Sequence, residues 1–286
     1  MERHYRFAGI EITVYVSDDD GYNDGKILSA FRIEQVTAVP HLFEFELVDV
    51  LTPPSKGTVV TTQPGYTVFA DGSRQLRYFG VKRDPNIRAV YDGKKHQIQV
   101  KKSQHIQTIS ARTVLNAIAL EHLVARNHGF VFHCAYIDNG GKAILFTAPS
   151  GTGKSTQAAL WAEHRGAEIV NGDRAAVRLA EGVLRAEGIP FAGSSTYCNN
   201  KSLPIQAIVY LGQSPKTVIR KLRGYEAFSK IWEGVSVDTW DKTDMESVSA
   251  VVQRAAATLP VYHLACTPDE SAVSALEEAL RKQESL

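Results

Sequence analysis

Cysteine is scarce in this sequence, and its scarcity excludes two kinds of stabilised domain. The 286 residues include only three cysteines, Cys134, Cys198 and Cys266, and none of them belongs to a CxxC motif. A disulfide framework needs paired cysteines, and a structural zinc site needs closely spaced thiol or imidazole ligands. We therefore expect three reduced thiols that behave as small buried apolar side chains.

Long apolar runs and an excess of charge of one sign are also missing. No stretch approaches the roughly 20 consecutive apolar residues that span a bilayer, and the first residues lack the basic start and apolar run of a signal peptide. The 32 lysine and arginine residues balance 31 acidic ones, for a net charge of +1, whereas coating a nucleic acid needs a clear cationic excess. The sequence predicts a cytoplasmic protein that binds neither a membrane nor a nucleic acid.

The remaining composition is that of an ordinary globular protein, with 44% hydrophobic and 22% charged residues. Its first part is rich in short strand patterns separated by turns such as Asp92-Gly93. From Ser110 onward, strand and helix patterns alternate, beginning with one helix over Ser110–Asn127. The sequence predicts a β-rich N-terminal domain, residues 1–105, and an α/β domain, residues 106–286, whose central sheet is flanked by helices.

The strongest functional signal is a glycine-containing loop between a predicted strand, Lys142–Thr147, and a predicted helix, Gly153–Arg165. The segment matches the P-loop pattern G-x-x-x-x-G-K-[S/T] except that Ala148 replaces the first glycine. Glycines let successive backbone N–H groups face one anion, and the start of a helix adds further N–H groups. A Gly/Ser-rich turn that carries a lysine by chance is the alternative interpretation. The residues predicted to bind nucleotide phosphates are Ser150, Gly151, Thr152, Gly153, Lys154, Ser155 and Thr156.

A P-loop also needs an acidic partner for its metal ion. Asp173 follows the next apolar strand, and the carboxyl ends of such strands line a ligand crevice. We predict that the Ser155 hydroxyl and the Asp173 carboxylate hold Mg²⁺. The alternative is that Asp173 only begins the next turn.

Several segments together resemble the HPr kinase/phosphorylase and PEP-carboxykinase-like P-loop kinases. They are Val131–Ile137, Ser150–Thr156 and Ile169–Arg174, with weaker similarity at Gly188–Gly193, Leu203–Leu211 and Val261–Glu270. The resemblance implies a PEP-carboxykinase-like core, ATP or a similar nucleotide, Mg²⁺, and phosphoryl transfer to a serine-type hydroxyl of a peptide, protein or small molecule. Some members assemble, so a homo-oligomer is one of the states that the resemblance allows.

One position departs from the pattern of this family, which has two aspartates on the strand after the loop. The first is held to act as general base on the acceptor hydroxyl, and Gly172 stands in its place here. Three interpretations stay open: Asp173 serves both roles, another group is the base, or acceptor phosphorylation is lost. His133 is the candidate for that other group, because the resemblance places its counterpart near the phosphates and a neutral imidazole suits proton transfer. The alternative is a buried strand histidine with a hydrogen-bonded ring.

The leading hypothesis is a kinase whose catalytic residues are Lys154, Asp173 and His133. Its rivals are a nucleotide-binding module that docks a peptide or protein partner, and a small NTPase whose hydrolysis drives a conformational step. The resemblance places the polar loop Ala192–Lys201 where members of the family shape the acceptor pocket. Arg220 and Arg223 are the options for stabilising transition-state charge.

Overall fold

The structure is a computed structural model that describes residues 1–17, 20–54, 58–72, 74–81, 84–193 and 195–284. Helices and large sheets are both present, as the mixed α/β class predicts. The chain forms two compact units, Met1–Ala119 and Leu120–Leu286. The units divide after Ala119, whereas the sequence predicts a domain boundary between residues 105 and 106, and Ile109 and Ser110 pair with Tyr22 and Asn23 of the first unit.

The N-terminal unit is built on one large sheet. Its elements are β1 (Glu2–Phe7), β2 (Ile10–Val16), β3 (Tyr22–Asn23), α1 (Gly25–Ser29), β4 (Arg32–Ile33), β5 (His41–Val48), β6 (Thr58–Gln63), β7 (Tyr66–Asp71), β8 (Arg74–Val81), β9 (Asp84–Asp92), β10 (Lys95–Lys101), β11 (Ile109–Ser110) and α2 (Ala111–Ala117). Within the described residues, the sheet has nine strands in the order β4-β1-β2-β5-β10-β9-β8-β7-β6.

Alternation along the strands of this sheet separates core from surface. In β5 the side chains of Phe43 and Phe45 are buried, whereas those of Glu44 and Glu46 are exposed, because successive residues of a strand point to opposite faces. The turn predicted at Asp92-Gly93 joins β9 to β10, with Asp92 opposite Lys95. The β-rich character predicted for this region is therefore present in the structure.

The C-terminal unit combines a second large sheet with five helices in its described part. Its elements are α3 (Leu120–Arg126), β12 (Gly129–Asn139), β13 (Lys142–Thr147), α4 (Lys154–Arg165), β14 (Glu168–Asn171), β15 (Arg174–Ala180), β16 (Val183–Glu187), β17 (Ser202–Gln213), β18 (Val218–Leu222), α5 (Gly224–Trp232), β19 (Val235–Ser236), α6 (Lys242–Thr258), β20 (Val261–Cys266) and α7 (Glu270–Glu284). The strand order is β13-β12-β15-β16-β17-β20-β18, and β13 also pairs in parallel with β17.

Helices cover both faces of this second sheet. Leu145 of β13 belongs to a buried apolar cluster with Ile231 of α5 and Val252 of α6. Its neighbours Ile144 and Phe146 belong to a second cluster, formed with side chains of α4 and α7. Since adjacent strand residues point to opposite faces, the two clusters lie on the two sides of the sheet. The predicted central sheet with flanking helices is present.

The single helix predicted over Ser110–Asn127 is wrong. The chain forms α2, ends it after Ala117, and begins α3 at Leu120. Ala119 between them has a φ of +49°, in the left-handed region that an α-helix cannot continue through. The apolar residues keep their helical spacing on both sides of this break, so the sequence pattern does not reveal it. Ser110 caps the start of α2, because its side chain accepts a hydrogen bond from the backbone N–H of Thr113 at 3.3 Å.

No helix within the described ranges has both the length and the apolar content needed to cross a membrane.

Candidate functional site

The candidate site forms beside the middle of β12, where strands on both of its edges end or begin. One edge of β12 pairs with β15 up to His133 and with β14 from Tyr136 onward, and the other edge pairs with β13 from Cys134 onward. His133 is therefore opposite Arg174, the first residue of β15, and Cys134 is opposite Thr147, the last residue of β13. This register brings the end of β13 and the start of β15 to neighbouring residues of β12, on its two edges. Every residue predicted to act in the site lies on a segment that reaches this point.

The loop after β13 has the backbone that its glycines predict. The strand ends at Thr147 and the helix begins at Lys154, one residue later than predicted. Gly151 and Gly153 have φ values of +78° and +114°, which a side chain would strain. Gly153 is the residue that caps α4. The first N–H groups of this 12-residue helix have no carbonyl partner inside the helix, and their end of the helix carries partial positive charge. The local geometry therefore suits an anion.

Lys154 is folded back over this loop. Its ammonium donates to the backbone carbonyls of Ala148 at 2.9 Å and Pro149 at 3.3 Å. The residue is only 8% exposed, and burial lowers the pKa of its ammonium below the usual value. A lysine ammonium offers N–H donors only, so it can exchange these two carbonyls for phosphate oxygens. The side chain is therefore placed so that the Lys154 ammonium can bind an anion at the start of α4.

Asp173 is held by a turn that a buried asparagine organises. The side-chain oxygen of Asn171, at the end of β14, accepts hydrogen bonds from the backbone N–H groups of Asp173 at 2.9 Å and Arg174 at 3.0 Å. The side-chain nitrogen of Asn171 donates to the carbonyls of Ile189 at 3.2 Å and Phe191 at 2.9 Å. Asn171 is completely buried. It therefore fixes the turn that carries Asp173, a role that no sequence motif indicated.

The Asp173 carboxylate lies between a histidine and an arginine. Its two oxygens are 3.5 Å from Nε2 of His133 and 3.2 Å from Nε of Arg174. Burial and the charge of Lys154 lower the pKa of His133, an effect that the Asp173 carboxylate partly opposes. The ring is therefore mostly neutral near pH 7 and can accept a proton. Arg174 also faces Glu121 at 3.6 Å, so it pairs with acids.

One cavity of about 620 Å³ contains nearly all of the predicted residues. Those that line it are His133, Ser150, Gly151, Gly153, Lys154, Ser155, Thr156 and Asp173. Thr152 instead lines an adjacent cavity of about 550 Å³, together with Gln157 and Cys266. The N–H group of Thr152 donates to the carbonyl of Pro149 within the loop at 3.3 Å, whereas Gly151, Gly153 and Thr156 line both cavities.

The two predicted metal ligands fit a hard divalent cation by their chemistry. Ser155 and Asp173 both line the larger cavity and offer a hydroxyl and a carboxylate oxygen, which are ligands that Mg²⁺ prefers. Among the described residues, the partner of the Ser155 hydroxyl is the carbonyl of Gly172, at a long hydrogen-bond distance of 3.5 Å. A cation can compete with so weak a bond, so the donor set is compatible with Mg²⁺.

Gly172 is crowded by a serine from a distant part of the chain. A Cβ added to Gly172 would lie 2.3 Å from Oγ and 2.7 Å from Cβ of Ser195. A Cβ added to Gly193 would lie 2.6 Å from the carboxyl carbon of Asp173. The segment around Ser195 thus packs directly on the turn that carries Asp173. The sequence predicts that the polar loop Ala192–Lys201 shapes the acceptor pocket, but no sequence pattern indicates this contact.

Arg220, an option for stabilising transition-state charge, lies in another part of the unit. Its guanidinium pairs with Glu226 at 2.8 Å, and the residue lines a separate cavity beside α7 with Tyr262 and Lys282. Arg174 is the arginine that contacts the candidate site.

Comparison with protein families gives a match over most of the C-terminal unit. The family model described as "SynChlorMet cassette protein ScmC" matches residues 96–280, more than half of the chain. The chain belongs to the ScmC family. The matched residues of this ScmC member include the whole candidate site, and the description of the family names no activity.

Two further comparisons complete this picture of the ScmC member. No curated protein matches it. Among solved structures it is similar to the Hpr(Ser) kinase/phosphatase from Coxiella burnetii, with 11% sequence identity and a TM-score of 0.31, over 54% of this chain and 95% of that one. A likeness this distant carries no conclusion about the ScmC member, so its PEP-carboxykinase-like core stays a prediction.

Proposed function

We propose that this protein is an ATP- and Mg²⁺-dependent kinase that transfers the γ-phosphoryl group to a serine-type hydroxyl of a peptide, protein or small molecule. The observation that carries the proposal is the meeting of four side chains in one cavity: Lys154, Ser155, Asp173 and His133. They come from three segments that are separate in the sequence. Phosphoryl transfer depends mostly on positioning and electrostatic stabilisation, which such a constellation supplies.

Each side chain has a distinct part in this proposal. The N–H groups at the start of α4 bind the phosphates, and Lys154 leaves the carbonyls of Ala148 and Pro149 to neutralise charge on the transferring group. Mg²⁺, held by the Ser155 hydroxyl and the Asp173 carboxylate, supplies further neutralisation of the phosphate charge.

Proton removal from the acceptor falls to His133 in this proposal, because Gly172 has no side chain. The His133 ring is 3.5 Å from Asp173, and its lowered pKa keeps it mostly neutral. Asp173 then orients the ring and favours the imidazolium that forms when the proton arrives. This assignment separates the metal-binding role of Asp173 from the role of the base.

The crowding at Gly172 favours a second candidate function. Ser195 takes up the space where a side chain on Gly172 would begin, so the usual position of a base in the resembled family is closed. The protein would then be a nucleotide-binding module that transfers no phosphoryl group and docks a peptide or protein partner. Both functions require the same phosphate site.

Nucleotide binding is tested by calorimetry with the ATP analogue AMP-PNP and Mg²⁺. Lys154→Met keeps an apolar stem in the buried position and removes the charge. A hydrogen bond to a charged group contributes about 1.5–3 kcal/mol, so we expect binding to weaken about 10- to 100-fold. The matched control is Lys242→Met, since Lys242 is 89% exposed and 3.7 Å from Glu246 on α6. Equal affinity in all three proteins would refute the phosphate site.

Transfer is tested with γ-labelled ATP and an array of serine- and threonine-containing peptides, with free L-serine and glycerol as small acceptors. The kinase proposal predicts label on at least one acceptor, which Lys154→Met loses while its melting temperature stays within a few degrees of wild type. Binding of AMP-PNP without label on any acceptor would favour the docking module.

A further inference from the structure

The proposed phosphate cavity contains an oxygen nucleophile that its proposed function does not use. Ser195 lines the same cavity as Lys154, Ser155, Asp173 and His133. We propose that Ser195 is itself a phosphoryl acceptor, so that the protein phosphorylates its own chain at this hydroxyl. This inference rests on the proposed nucleotide site.

The Ser195 side chain is held in a defined place. Its backbone N–H donates to the carbonyl of Ala192 at 2.8 Å, and its Oγ accepts a hydrogen bond from the N–H of Tyr197 at 3.1 Å. The bond from Tyr197 uses a lone pair of Oγ and leaves the hydroxyl hydrogen free to be donated. A hydroxyl has two lone pairs, so one lone pair also stays available for attack on phosphorus.

Contacts across the turn place this hydroxyl close to the turn that carries Asp173, and His133 lines the same cavity. Oγ of Ser195 lies 2.3 Å from the position that a Cβ on Gly172 would take, and the carbonyl of Gly172 is the group that the Ser155 hydroxyl contacts at 3.5 Å. Gly193 allows the backbone of the same segment to approach Asp173. Two glycines thus remove the side chains that would keep this hydroxyl away from Asp173.

The transfer step balances with groups that the site contains or binds. Oγ of Ser195 attacks the γ-phosphorus of a bound nucleoside triphosphate, and a new O–P bond forms. The bond from the γ-phosphorus to the bridging oxygen breaks, and the nucleoside diphosphate leaves with that electron pair. The hydroxyl proton goes to Nδ1 of the neutral His133 ring, whose Nε2 faces Asp173.

Neighbouring hydroxyls provide matched controls for the choice of Ser195. Thr196 and Tyr197 also line the cavity, but both are exposed, whereas Ser195 is half-buried. An exposed side chain on a loop is less restricted in position than that of Ser195, whose backbone N–H and Oγ both form hydrogen bonds. The proposal therefore predicts phosphate on Ser195 and not on Thr196 or Tyr197.

The experiment incubates the purified full chain with ATP and Mg²⁺ and follows its intact mass. We expect a gain of about 80 Da, the mass of one phosphoryl group, at a rate independent of protein concentration, with fragmentation spectra placing the phosphate on Ser195. Ser195→Ala loses the gain, whereas Thr196→Val and Tyr197→Phe keep it. Melting curves of the three variants show that each is folded.

Other outcomes overturn the inference and are separable from failure of the proposed function. Phosphate on Ser194 or any other residue, a gain that survives in Ser195→Ala, or a rate that rises with protein concentration each refutes self-phosphorylation at Ser195. An unchanged mass in wild-type protein that binds AMP-PNP by calorimetry refutes the inference and leaves the nucleotide site standing. An unchanged mass without AMP-PNP binding refutes both.

Discussion

Replacing Gly172 by alanine tests whether Ser195 closes the space beside Asp173. The φ of Gly172 lies outside the left-handed region, so alanine meets no backbone strain there. The new Cβ would lie 2.3 Å from Oγ and 2.7 Å from Cβ of Ser195, whereas carbon atoms in contact are about 3.5–4.0 Å apart. Rotation of the Ser195 side chain moves Oγ but leaves its Cβ in place. The backbone around Ser195 must therefore shift by roughly 1 Å.

Such overpacking costs about 1–3 kcal/mol, and each kcal/mol lowers the melting temperature of a unit of this size by about 2–4 °C. We expect Gly172→Ala to melt about 2–12 °C below wild type. A double-mutant cycle isolates the contact: Ser195→Gly removes both clashing atoms, whereas Ser195→Ala leaves the Cβ. Gly172→Ala should therefore cost little in the Ser195→Gly background and stay costly in the Ser195→Ala background. An equal cost in both backgrounds would refute the contact.

Two further predictions concern charged side chains away from the loop. Glu11 is 8% exposed, and although burial raises its pKa, hydrogen bonds from Thr37 and Arg6 contribute to holding it at about 2, below its usual 4.5. The ionised Glu11 carboxylate stabilises the fold above pH 4.5, and this stabilisation is lost toward pH 2. Glu11→Gln should therefore lower the free energy of unfolding by up to about 3 kcal/mol at pH 7. In urea titrations the difference between the two proteins should vanish near pH 2. Asp244 is fully buried and accepts a hydrogen bond from Nε of Arg126 at 2.7 Å. Asp244→Asn should lower the free energy of unfolding by about 2 kcal/mol in the same assay, which is less than the loss for a wholly buried pair because Arg126 is half-exposed. An unchanged urea midpoint would contradict this account.

Local sequence signals predicted the loop and its surroundings well. The strand before the loop ends at Thr147 as predicted, and the glycine positions match left-handed backbone at Gly151 and Gly153. Such features depend on a few neighbouring residues, because glycine is the residue that readily adopts left-handed backbone. The meeting of His133 with Asp173 depended on the family resemblance, because strand pairing between distant segments leaves no local pattern.

Other features could not be predicted because they arise only from tertiary contacts. Ala119 takes a left-handed backbone that apolar periodicity does not reveal, so one predicted helix is two. The first strand, Glu2–Phe7, and the strand Val218–Leu222 carry charged residues among apolar ones and gave no strand prediction. Asn171 supports the turn through hydrogen bonds, and Ser195 packs against Gly172. Each of these contacts joins segments about 20 residues apart in the sequence.

A crystal structure of the protein with AMP-PNP and Mg²⁺ tests the central claim most directly. We predict that the β- and γ-phosphates lie over the start of α4, and that the Lys154 ammonium has left the carbonyls of Ala148 and Pro149 for phosphate oxygens. An analogue bound elsewhere in the protein, or phosphates at the loop with Lys154 still on those two carbonyls, would contradict the account.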